Sequence, residues 1–347
     1  MRVKAAILHG KERIQIEEVA PPVLKPGEVR IRIEAALTCG TDLKVFKRGY
    51  HAKMIVPPAV FGHELAGVVS ELGDASSELG WRTGDRVAVA NSAPCGECFH
   101  CGAGQENLCE DLLFLNGAYA ESIVVPARLV QKNLLRLKPE TDFRDAALVE
   151  PLACVVQGVE DTNLHAGRHV LILGAGPIGL MFTALVKKLG CDVTVAGRRA
   201  ARLEAARRLG ANQTIDIGDG RGLVTKIREA TKTHFDAVIE AVGHPDIWEA
   251  AVHLVRKGGA VNFFGGCPSG TSITLDTTLI HYSNLTLLAS FHHTPHAIRQ
   301  ALEFIEAGVI RAVDFVDGEC PLTQLPELFK SMATGNHAIK TLIRVHE

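Results

Sequence analysis

The run VLILGAGPIGLMFTALV, beginning at Val170, is as apolar as a membrane span, yet three glycines and a proline break it. Those breaks leave a strand, a tight turn and a helix rather than one continuous spanning segment. Gly174, Gly176 and Gly179 form G-x-G-x-x-G directly after the strand and at the opening of the helix. In that context the first glycine permits the turn and the second lets the backbone approach a pyrophosphate. The third allows close packing of helix on sheet. Pro177 and Ile178 complete the cofactor-binding turn, and the helix N-terminus offers unpaired N–H groups to phosphate oxygens. These residues predict a dinucleotide-binding βαβ unit.

The surrounding rhythm agrees. From about Asn163, HVLIL, the helical PIGLMFTALVKKLG, DVTVA and the helical RAARLEAARRLG alternate, and FDAVIEAVG, PDIWEAAVHLVRKGG and AVNFFGG continue the series. Such alternation predicts an α/β fold with a doubly wound parallel sheet. The preceding part is different: EVRIRIEAAL, LAGVVSEL, RVAVA and AESIVVPA are short, rich in Val and Ile, and bounded by turn residues. The expected boundaries near residues 155 and 291 set off a dinucleotide-binding domain over 155–290 from a β-rich domain over 1–154 and a C-terminal segment over 291–347. In the latter, PHAIRQALEFIEAG reads as a helix, ahead of a mixed tail ending in KTLIRV.

The end of the second strand bears on which dinucleotide is bound. A carboxylate there hydrogen-bonds the adenosine ribose and repels a 2′-phosphate. Here the chain reads Gly197-Arg198-Arg199, with Arg202 one turn on. A glycine leaves room and a guanidinium fork matches phosphate, so NADP(H) is expected over NAD(H).

Two sets of residues point to metal. Cys95, Cys98, Cys101 and Cys109 follow C-x2-C-x2-C-x7-C, a spacing that lets one loop wrap a tetrahedral Zn²⁺. Four thiolates close the coordination shell, so that zinc is expected to be structural. Cys39, His63, Glu64 and Glu150 form a looser candidate set, mixed enough to suit a catalytic zinc. Their separations leave open whether they meet in space.

A formal net charge of −2 leaves no electrostatic footprint for nucleic acid or an anionic membrane. The opening MRVKAAILHGKERIQIEE has no signal-peptide apolar core, and nine cysteines without a secretion signal fit a reducing, cytoplasmic setting.

The stretch GHELAGVVSELGDAS (Gly62 to Ser76), with CGTD, the four-cysteine lobe, NGAYAE, VEP and GAGPIG in order, resembles the zinc-containing medium-chain alcohol dehydrogenases. The resemblance covers essentially the whole chain and is strongest to the polyol (sorbitol) and threonine dehydrogenase branch, because Glu150 stands where other branches place a cysteine ligand. It implies a GroES-like catalytic domain formed by 1–154 with 291–347, an inserted Rossmann domain over 155–290, and two zincs per chain. Cys39, His63 and Glu150 would hold the catalytic zinc, and Glu64 would be an adjacent or transient ligand. Thr41 would bind the substrate oxygen and begin a proton relay, while Asp42 would support the metal site from behind. Many relatives carry a histidine three residues after that Ser/Thr, and Lys44 occupies the position here. Polyol-type relatives have an arginine where this chain reads Phe291-His292-His293, which makes His292 a candidate substrate-facing residue.

The implied activity is hydride transfer between a secondary alcohol or polyol, or the corresponding ketone, and NADP(H). Within the family the alternative is an aldose 1-dehydrogenase or an NAD(H)-linked oxidiser of amino alcohols such as threonine. A metal-free reductase is a third member of that group of readings. Outside it stands a zinc-ribbon binding module, which the neutral charge and the lack of a basic stripe beside the lobe argue against. The family also implies a homodimer or homotetramer, with the strand LTLLAS (Leu285 to Ser290) as a pairing edge.

Overall fold

The computed structural model describes residues 2–51, 54–232, 234–335 and 338–346. The chain divides into two compact units, Cys154–His292 and the two segments Met1–Ala153 and His293–Glu347 taken together.

In the Cys154–His292 unit the apolar runs become six parallel strands. They are β1 (His169–Leu173), β2 (Asp192–Gly197), β3 (Gln213–Asp216), β4 (Phe235–Glu240), β5 (Val255–Phe263) and β6 (Thr286–Leu288). The spatial order is β3-β2-β1-β4-β5-β6, with every pairing parallel. In β1 all residues after His169 are buried, and β2 is buried after Asp192, as expected of strands covered on both faces. The core gathers Leu171, Leu173, Val238, Val261 and Phe263 from the strands with Ile227 from a helix. Helix α1 (Pro177–Lys188) starts on proline, whose missing N–H is no loss in a first turn. Helix α2 (Ala200–Arg208) follows β2. Chain order reverses on either side of β1, and this Rossmann-like arrangement leaves a ligand crevice at the carboxyl ends of the strands.

The other unit is built on a seven-stranded sheet around Val29–Leu37. That strand pairs antiparallel with Glu64–Leu72, with Ser122–Val125 and with Lys340–Arg344 from the far end of the chain. The last of these also runs parallel to Val316–Pro321. Alternating Val29, Ile31 and Ile33 face the core, where Phe46, Phe61, Tyr119 and Phe329 pack with ring centroids 5.4–6.0 Å apart. The segment predicted as a helix is Pro295–Glu306, capped by Thr294, whose hydroxyl accepts from Ala297 N at 3.2 Å.

Candidate active site and metal centres

Cys39 lies two residues beyond the end of Val29–Leu37 and caps the helix Gly40–Arg48. Its Sγ accepts from Thr41 N at 3.4 Å, which fixes the sulfur at the helix N-terminus. Antiparallel register sets Leu37 opposite Glu64, which carries His63 and Glu64 to the same end of the sheet. The ligand atoms of Cys39, His63 and Glu64 all fall within 4.8 Å of one another.

His63 Nδ1 is 2.9 Å from Asp42 Oδ1, with both side chains only 3% exposed. The Tyr119 hydroxyl lies 2.7 Å from Asp42 Oδ2 and 3.1 Å from the Leu37 carbonyl oxygen, holding the carboxylate from behind. Burial opposes charge on His63, but Asp42 and Cys39 outweigh it and hold the imidazole well above its ordinary value. With Nδ1 committed to a carboxylate, Nε2 is the nitrogen left for a metal, the usual orientation of a zinc-bound histidine. The donor set fits zinc.

Glu64 is fully buried and accepts from Lys340 Nζ through both oxygens, Oε1 at 2.7 Å. The same ammonium donates to the Thr38 carbonyl at 3.0 Å and is itself 2% exposed. Burial pushes the Glu64 carboxyl up, against the pull of Lys340. Burial lowers Lys340, but Glu64 and Cys39 more than offset it and hold it above the usual lysine value.

Glu150, in the first turn of Val149–Asp161, falls in a different group, with a ligand atom within 4.8 Å of one on His293. It is buried, and burial pushes its carboxyl up to about 7, against the field of His63. The buried His293 places Nε2 2.9 Å from Asn91 Oδ1. His292 precedes it in the left-handed region, at φ 63°. Lys44 is exposed on the Gly40–Arg48 helix, and Thr41 is partly buried in its first turn.

The four-cysteine lobe closes as its spacing predicts. All four Sγ atoms lie within 4.8 Å of one another, and Cys95–Cys101 and Cys98–Cys109 are each separated by 3.9 Å. Zn–S bonds of about 2.3 Å would set tetrahedral sulfurs about 3.8 Å apart. Backbone N–H groups of Gly96 and Cys98 point to Cys101 and Cys95 at 3.4 Å. Hydrogen bonds from the Cys101 and Glu110 backbones bring the Cys98 thiol down to about 6, whereas burial pushes Cys101 up to about 12. Four thiolates this close repel one another without a cation among them, so this set also fits zinc.

In the glycine loop, Gly174 turns at φ +113° and a Cβ on Gly179 would sit 1.9 Å from the Gly174 oxygen. Neither position admits a side chain. A Cβ on Gly176 would meet nothing within 4 Å, which leaves open space at the N-terminus of α1 for a pyrophosphate. Gly197 is tight for another reason: a Cβ there would lie 2.7 Å from that of Ala175, within the loop. Arg198 and Arg199 follow, both exposed, with Arg199 at φ 72°, and Arg202 is partly buried in the first turn of α2.

Comparison with known proteins turns on the whole chain. Residues 25–135 match the alcohol dehydrogenase GroES-like domain and residues 177–307 the zinc-binding dehydrogenase domain. An erythritol/L-threitol dehydrogenase of Mycolicibacterium smegmatis is 31% identical over 360 residues, covering 98% of this chain and 96% of the relative. The chain belongs to the zinc-binding medium-chain dehydrogenases. A sorbitol dehydrogenase of Bacillus subtilis is 29% identical, covering 98% and 97% of the two chains. An NADP-bound structure from Sinorhizobium meliloti 1021, assigned to the zinc-binding dehydrogenases, superimposes with a TM-score of 0.88 at 28% identity, covering 99% of each chain.

This medium-chain dehydrogenase is therefore a zinc-dependent, NAD(P)-linked oxidoreductase acting on a CH–OH group of a small molecule, related to the polyol dehydrogenases. Among the described residues no helix is long and apolar enough to cross a membrane. Its site also uses residues that motif reading passed over. Lys340, Asn91, His293 and Tyr119 were given no role, although Tyr119 lies within NGAYAE, His293 follows His292, and Lys340 is a charge opening the apolar strand KTLIRV.

Proposed function

We propose that this dehydrogenase interconverts a secondary alcohol, most simply a polyol, and its ketone with NADP(H). The observation that carries the reading is the meeting of partly buried Cys39 with buried His63, with Asp42 on His63 Nδ1 and carboxylates at hand. Cys39 and His63 are assigned to the catalytic zinc, with Glu150, close enough for its carboxyl to feel the field of His63, as the third ligand although it groups with His293. Glu64 is already neutralised by Lys340, which supports it as a neighbouring group rather than a permanent ligand. When bound, zinc supplies a Lewis acid that eases ionisation of an alcohol. Asp42 fixes the tautomer of His63, and Thr41 N steadies the Cys39 sulfur. The Thr41 hydroxyl takes the substrate proton as it gives up its own to water, which carries it to solvent past the exposed Lys44 one turn on.

Preference for NADP(H) is supported by Arg198, Arg199 and Arg202 where a ribose-binding carboxylate would otherwise stand, and by the NADP-bound relative. Polyol chemistry is supported by the erythritol/L-threitol and sorbitol dehydrogenases among its relatives. Strand β6 ends the sheet order, so its outer edge suits pairing of two copies into a dimer or tetramer.

The deciding experiment assays a panel of polyols, sugars and amino alcohols with both cofactors, beside zinc analysis. Two zincs per chain, loss of turnover with chelator and higher kcat/KM for NADP⁺ are expected. Turnover surviving full zinc removal refutes the metal assignment, and preference for NAD⁺ refutes the cofactor assignment.

A further inference from the structure

The parallel register of β2 and β3 pairs Gly197 with Asp216, and Ile217 N donates to the Gly197 carbonyl at 3.0 Å. Arg198 and the loop 217–222 therefore leave the sheet side by side at its carboxyl end, where open α/β sheets bind dinucleotides. The loop reads Ile-Gly-Asp-Gly-Arg-Gly, and Gly218, Gly220 and Gly222 adopt φ +58°, +89° and +65°. These left-handed turns, open to glycine, carry the Asp219 carbonyl to Arg198, whose Nη2 donates to it at 3.0 Å. A Cβ on Gly220 would lie 3.0 Å from that same Nη2, so the loop packs directly against the guanidinium.

The Asp219 carboxylate is engaged elsewhere. It accepts from Arg221 N at 3.0 Å and pairs with Arg221 Nε. Arg198 is thus held by a neutral carbonyl, and among the described residues it forms no ion pair with a carboxylate. A guanidinium has five N–H donors, so a single tether leaves its fork able to receive a phosphate. A side chain held in place beforehand also gives up less rotamer freedom on binding.

We propose that the loop 217–222 is a positioning element that presents Arg198 to the 2′-phosphate and so sets cofactor selectivity. The inference rests on the NADP(H) reading above. Simple charge and positioning make opposite predictions for Asp219→Ala. Removing a negative charge would lower KM for NADP⁺, whereas unfastening the loop would raise it.

The test uses the zinc-loaded, full-length enzyme, with steady-state kinetics in both cofactors and competition by 2′,5′-ADP against 5′-AMP. Arg198→Ala should cut the NADP⁺/NAD⁺ ratio of kcat/KM by about 10–100-fold. Asp219→Ala and Gly220→Ala should each cut it by about 3–10-fold, with the loss in KM for NADP⁺ and in 2′,5′-ADP binding rather than in kcat. Should Gly220→Ala fail to fold, Asp219→Ala decides. Wild-type preference for NAD⁺ overturns the NADP(H) reading and the proposal with it, whereas an unaltered ratio in Arg198→Ala overturns the proposal alone. A reduced ratio in Arg198→Ala, with unchanged or improved NADP⁺ binding in Asp219→Ala, overturns the proposal alone.

Discussion

Lys340→Met should be among the most damaging single changes to the catalytic unit. Lys340 and Glu64 are 2% and 0% exposed, and the ammonium serves both carboxylate oxygens and the Thr38 carbonyl. Methionine approximates the volume of the lysine stem but leaves the buried carboxylate without its hydrogen-bonded cation. Breaking a buried pair from one side costs about 3–5 kcal/mol. Removing the carboxylate as well, in Glu64→Leu/Lys340→Met, leaves only the Thr38 oxygen without its donor, worth about 1–3 kcal/mol. The double variant should therefore be more stable than the single one by about 2 kcal/mol. Urea unfolding can follow this unit alone. Of the two tryptophans, Trp81 lies in its core and Trp248 in the other unit, so a Trp248→Phe background leaves Trp81 as reporter. A cost below about 1 kcal/mol for Lys340→Met, or a double variant no more stable than the single, would refute the idea that Lys340 is there to neutralise Glu64.

Other consequences follow from the same contacts. Asp42→Ala removes the partner of His63 Nδ1, and competitive chelation should show catalytic-zinc affinity falling about 10–100-fold while the four-cysteine zinc is retained. Cys98→Ser breaks the closed thiolate set, so metal analysis should find one zinc per chain, with residual turnover in whatever fraction stays folded. In the Rossmann unit, burial of Asp236 is outweighed by His169 N, Arg256 and Arg168, which hold its carboxyl below the ordinary 3.8. Its ionised form therefore stabilises the fold above that pH, and the benefit fades as pH falls through the lower folded value. Asp236→Asn should lower the thermal midpoint at pH 7, with the gap to wild type narrowing below about pH 4.

What could be read along the chain was whatever a short segment completes by itself. The glycine loop declared its strand, turn and helix because a βα turn is built from consecutive residues, and Gly174 and Gly179 are sterically required there. The cysteine lobe was equally plain, since four ligands within one loop need no distant partner. Gly197 was read as room for a phosphate, whereas its tightest constraint is contact with Ala175 across two parallel strands. Arg198 was visible as a charge; its tether to Asp219 was not, because that bond joins loops from separate strands.

The cluster of Cys39, His63 and Glu64 lies at the other extreme. Spacing offered Cys39, His63, Glu64 and Glu150 only as candidates, and the family resemblance gave them roles. The fold places Cys39, His63 and Glu64 in one group and Glu150 beside His293 in another, and it sets Lys340 on Glu64. That arrangement depends on the register between Val29–Leu37 and Glu64–Leu72, and on a C-terminal strand returning to pair with the former. Local patterning determined the two kinds of domain, the glycine loop and the four-cysteine lobe, because each is specified by neighbours in the chain. Tertiary structure alone decided which buried charges meet, because a carboxylate and an ammonium 276 positions apart become partners only when strand pairing removes both from water.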